Sequence, residues 1–91
     1  MTPELPTEDY INRAGFYMYD GSAWAYDDWE FRTKLKVKTT KVEDQPHLIS
    51  KIVDALYGDA QTVAQDLGVD KLAGKTAVED LVEALRNAAF P

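Results

Sequence analysis

The 91-residue chain reads as an all-α domain, a small bundle of four to five helices preceded by a short extended aromatic segment. Three observations predict this. Apolar residues recur at helical spacing in three separate stretches: Leu48, Ile49, Ile52, Val53 and Leu56; Ala60, Val63, Ala64 and Leu67; Val78, Leu81, Val82 and Leu85. Helix start and stop residues bracket those stretches. Aromatic residues crowd ahead of them, with Tyr10, Phe16, Tyr17, Tyr19, Trp24, Tyr26, Trp29 and Phe31 all in the first third. Three narrow aliphatic stripes close a core only if that aromatic block supplies the remaining side.

Taken in order, residues 1 to about 14 carry Pro3 and Pro6 among Thr, Glu and Asp without apolar periodicity, and read as a flexible lead-in to a helical domain over 15–91. Phe16-Tyr17-Met18-Tyr19 is too short for a helix and rich in strand formers, and Asp20-Gly21-Ser22 closes it with turn chemistry. Ser22 can cap a first helix running from Ala23 to about Lys38, a stretch free of Gly and Pro. At about 100° per residue Trp24, Phe31 and Leu35 fall in one narrow stripe, the expected core face, while Tyr26, Trp29 and Val37 gather on the opposite side. The segment from Phe31 to Thr39 also alternates with period two, as a half-buried strand does, and periodicity alone leaves helix and strand both open.

The second helix has Asp44 as a cap and Pro46 in its first turn, where a missing N–H costs nothing. Gly58 ends it, Asp59 can cap the third, and Gly68 stops that one. Asp70 to Gly74 forms a connector with room for one helical turn at Leu72. Thr76 and Glu79 have the spacing of a capping box for the last helix.

Composition limits the function. Hydrophobic residues at 45% and charged ones at 29% place the chain in the globular class. No apolar run reaches the roughly 18 residues of a membrane span, and the acidic amino terminus does not read as a secretory signal. Sixteen acidic against ten basic residues give a net charge of −6, which disfavours direct nucleic-acid binding. The absence of cysteine removes disulfides, thiolate nucleophiles and cysteine-based zinc sites, and suits an intracellular, cytoplasmic protein.

Catalytic, metal and cofactor sites are not expected. Asp27 and Asp28 are adjacent, so on a helix their side chains diverge by about 100° and cannot share a proton. His47 is the single histidine and has no second ligand at helical spacing. Phosphate-cradling and nucleophile-elbow motifs are absent. What stands out is a run of basics, Arg32, Lys34, Lys36, Lys38 and Lys41, in an acidic chain. It reads as a solvated face, as a patch that meets an acidic patch on a neighbouring copy, or as an RNA contact in which interleaved basics and aromatics grip a strand. On a helix, however, these basics spread around the axis rather than line one stripe. Tyr26 and Trp29 either pack beneath the Phe16–Tyr19 segment or form an intermolecular contact.

The order of features carries a family resemblance: Tyr19-Asp20-Gly21, then Trp24, Trp29-Glu30-Phe31-Arg32 and Leu35, then Ala55-Leu56-Tyr57-Gly58-Asp59-Ala60. Over residues 16 to 90 this resembles the amino-terminal capsid region of a gag polyprotein from an LTR retrotransposon, nearest to the copia type. The resemblance implies an all-α domain that assembles through homotypic contacts, with RNA binding left to another segment and a second capsid lobe beyond Pro91. It also implies a helix across Phe31–Thr39. On this reading Tyr26, Trp29, Arg32, Lys34, Lys36 and Lys38 are the expected contacts, and Leu56, Gly58 and Ala60 hold a close helix turn. The competing expectation is a monomeric adaptor that takes a partner peptide in an aromatic groove of Phe16, Tyr17, Tyr19 and Tyr26.

Overall fold

The computed structural model describes residues 11–91, so most of the expected lead-in lies outside the described residues. Its last four residues, Ile11 to Ala14, are tied down. The Asn12 side chain accepts from the backbone amides of Ala14 and Phe16 at 3.0 Å each, and Ile11 pairs antiparallel with Tyr17. Asn12 thus organises a tight turn that delivers the aromatic segment to the core.

Five α-helices follow: α1 (Ala23–Thr39), α2 (Gln45–Asp54), α3 (Gly58–Leu67), the single-turn α4 (Val69–Leu72) and α5 (Ala77–Ala89). A 3-10 turn, Val42–Asp44, joins α1 to α2. The fold is all-α, and Phe31–Thr39 is helical, as the resemblance implied and periodicity alone left undecided. The hairpin α3 and α4 packs on α5, and α1 lies against α5 and α2.

The extended segment is pinned by backbone. Tyr19 donates its amide to the Ala55 carbonyl at 3.1 Å and accepts from the Tyr57 amide at 3.0 Å, making one parallel bridge to the α2–α3 connection. Asp20 accepts from the Ala60 amide at 3.3 Å. Gly21 sits at φ +95°, and a Cβ there would lie 3.0 Å from the Ala60 nitrogen. Gly58 at φ +57° begins α3 directly beneath. The Asp20-Gly21 turn and the Leu56-Gly58-Ala60 turn therefore hold each other, which is why both need small or left-handed residues.

The aliphatic stripes settle where periodicity placed them. Leu48, Ile52, Leu56, Ala60, Ala64, Leu81, Val82 and Leu85 are buried, with Ile49, Val53, Val63, Leu67 and Val78 partly buried around them. The caps differ from expectation. Ser22, Asp44 and Thr76 each occupy the residue before a helix, yet none of their side chains bonds a helix amide. The Ser22 amide is instead held by the Asp20 carboxylate at 2.9 Å. Asp44 is already in helical conformation because the 3-10 turn feeds straight into α2. Thr76 donates its hydroxyl to Asp80 at 3.0 Å, so the capping box with Glu79 does not form. Asp59 is in the first turn of α3, which starts one residue earlier at Gly58.

Candidate interaction surface

α1 has apolar residues on two opposite sides, and the fold buries the side opposite to the one expected. Tyr26 and Trp29 are 1% exposed. The Trp29 ring stacks on Tyr19 with centroids 5.1 Å apart, and Tyr26 meets Tyr19 edge to face at 6.4 Å. Phe90 closes over Tyr26 at 5.6 Å. Both residues expected as contacts are thus core residues, packed against the extended aromatic segment. The Tyr19 hydroxyl donates to the Ser22 carbonyl at 2.9 Å and the Tyr26 hydroxyl to Glu30 at 2.6 Å. These polar ends let two tyrosines be buried together without an orphaned hydroxyl.

The converse correction concerns Trp24, Phe31 and Leu35, expected in the core. They are 62%, 66% and 51% exposed and lie in a line along the outer face of α1. One signal in the sequence separates the two faces: the arc holding Ala25, Trp29, Thr33, Tyr26 and Val37 contains only Lys36 as a charge. The arc holding Trp24, Phe31 and Leu35 is bordered by Asp27, Lys34 and Lys38 on one flank and by Asp28 and Arg32 on the other. Charged residues almost never enter a core unpaired, so charge per arc identifies the inner face where apolar count does not.

Most of the expected basic contacts have partners within the chain. Arg32 meets Asp28 at 3.2 Å and lies 5.5 Å from the Tyr17 ring centre. Lys34 reaches Glu30 at 3.6 Å, and Lys36 sits 5.0 Å above the Phe16 ring. Lys38 is exposed at the edge of the outer face. Glu30 is held below the ordinary carboxylate range first by the hydrogen bond from Tyr26, against the opposing effect of burial, and then by Lys34 and Arg86. These bonds make the carboxylate a fixed acceptor rather than a proton donor.

The expected peptide groove is formed only in part by the residues assigned to it: Phe16 and Tyr17 border a cavity of about 280 Å³ between the aromatic segment and α1, whereas Tyr19 and Tyr26 do not border it. Phe16, Tyr17, Tyr19 and Tyr26 are all buried. A different groove, about 650 Å³, runs between α1 and α5 over Val37, Val78 and Val82, with Lys34 and Lys38 on one wall and Glu79 and Glu83 on the other. His47 is exposed in the first turn of α2. No cluster of three or more metal-ligating side chains occurs among the described residues, and no helix there is long and apolar enough to cross a membrane. Comparisons with protein-family models, with curated proteins and with solved structures yield no match.

Proposed function

We propose that this domain is non-enzymatic and associates with further copies of itself through the outer face of α1, as an assembly domain of a gag-like polyprotein. The observation that carries the proposal is the exposed line of Trp24, Phe31 and Leu35. Three large apolar side chains aligned on one helix face and rimmed by charge are the composition of a protein contact, an apolar centre within a polar border. The occupant is a second copy because the borders of the line carry both charge signs, so the face complements itself.

The polyprotein part rests on the order Tyr19-Asp20-Gly21, Trp24, Trp29-Glu30-Phe31-Arg32 and Ala55-Leu56-Tyr57-Gly58-Asp59-Ala60, and on a helix spanning Phe31–Thr39. The non-enzymatic part rests on composition, with no cysteine and a single exposed histidine. A reducing intracellular setting belongs to the same proposal, again on the absence of cysteine.

Light scattering over a wide concentration series tests it, with the Phe31→Ser/Leu35→Ser variant alongside. Reversible growth in mass that the variant loses, at unchanged melting temperature, is the expected result. A mass equal to one chain at every concentration contradicts it, and would favour a monomeric adaptor using the α1–α5 groove.

A further inference from the structure

The charges along α1 are ordered as well as mixed. Asp27 and Asp28 precede Phe31, whereas Arg32, Lys34 and Lys38 follow it. At about 100° per residue, Asp27, Lys34 and Lys38 share one flank of the apolar line, and Asp28 and Arg32 share the other. Each flank is therefore acidic towards the start of the helix and basic towards its end.

From this order we infer that two copies pair their α1 outer faces antiparallel, about a two-fold axis passing beside Phe31. The inference rests on the homotypic reading above and specifies the geometry of its partner. In a two-fold antiparallel pair each flank meets the same flank of the second copy running in reverse. With the axis between Glu30 and Phe31, Asp27 lies opposite Lys34 of the second copy, and Asp28 lies within one turn of its Arg32. Trp24 of each copy covers the Leu35 end of the other, and the two Phe31 rings meet near the axis. A parallel two-fold pair in register would bring each flank against the opposite flank of the second copy, setting Asp27 near Asp28 and Lys34 near Arg32, a like-charge arrangement that is penalised on both flanks. The helix dipoles favour the same choice, since antiparallel neighbours place positive ends beside negative ends.

The pairing is weak by area. The 17 residues of α1 span about 25 Å, and a strip of that length covers a few hundred Å² on each copy, against about 800 Å² for a stable complex. The pair therefore forms and dissolves with concentration, and salt loosens it by screening the flanking charges.

The absence of native cysteine makes the geometry readable. Ala23 and Lys38 are both exposed and lie at opposite ends of one flank. Two full-length variants, Ala23→Cys and Lys38→Cys, are oxidised separately and as an equimolar mixture, at a concentration where sedimentation shows dimer for each. The expected result is a mixed disulfide between the two variants that exceeds either self-linked product by on the order of tenfold, because a disulfide needs its Cα atoms within about 7 Å. A self-linked Lys38→Cys product that exceeds the mixed one would show parallel pairing, because only there do the two Lys38 positions meet, overturning the inference and leaving homotypic association standing. Dimer by sedimentation with no disulfide in any tube would place the contact away from α1 and overturn the inference. No dimer at all would remove the homotypic reading itself. Unchanged circular dichroism melts of both variants establish that each result comes from the native fold.

Discussion

Trp29 and Phe31 stand two residues apart on one helix and meet opposite surroundings, so a single substitution at each has a different readout. Trp29 stacks on Tyr19 in the core, and Trp29→Ala is expected to cost about 3 to 5 kcal/mol through lost burial and the cavity left behind, measured as a shift in denaturation midpoint. Phe31→Ala removes an exposed ring and is expected to change stability by under about 0.5 kcal/mol while weakening self-association. The tyrosine pair sets the alkaline limit. Burial, aided by the charge of Asp20, pushes the Tyr19 hydroxyl from 10.0 to about 12, and burial followed by the bond to Glu30 raises Tyr26 as well. A folded pKa above the unfolded value means that stability is intact below about pH 10 and falls as pH rises towards about 12. Denaturant midpoints measured across that range should drop. Midpoints that stay level would show that neither hydroxyl is shielded.

Among the elements, the turn holding the extended segment against the start of α3 is the tightest. Gly21→Ala would put a Cβ 3.0 Å from the Ala60 nitrogen at a backbone φ of +95°, and is expected to cost roughly 1 to 3 kcal/mol by thermal denaturation. A substitution without effect would mean that the two turns are not locked together. The aliphatic helices were legible in the sequence because each has one stripe and only one way to bury it: Leu48 and Ile52, Ala60 and Ala64, and Leu81 and Leu85 are where their spacing puts them. α1 was legible as a helix by resemblance and by its lack of Gly and Pro, yet its orientation was not. It carries apolar residues on both sides, and the choice depends on Tyr19, which reaches it from outside the helix through a bridge to Leu56. Apolar spacing does not encode that long-range contact, and the one local signal for the inner face is the near absence of charge on its arc. The caps failed for a related reason, since Asp20 takes the Ser22 amide and Asp80 takes the Thr76 hydroxyl, local alternatives that spacing does not rank.

At the scale of the whole molecule, the inverted helix changes which residues can meet a partner. With Tyr26 and Trp29 inside, the outward surface of α1 is Trp24, Phe31 and Leu35 between two charged flanks. The Phe16–Tyr19 segment and α5 hold the inner face fixed, which leaves the outer face rigid and pre-arranged for contact, so little ordering cost is added on association. The most direct measurement is nuclear magnetic resonance of the intact chain diluted from millimolar to micromolar concentration. The account predicts concentration-dependent shifts at Trp24, Phe31 and Leu35, with Trp29 and Leu81 unmoved. Spectra that do not change on dilution, or changes that fall on α3 and α4 instead, would contradict it.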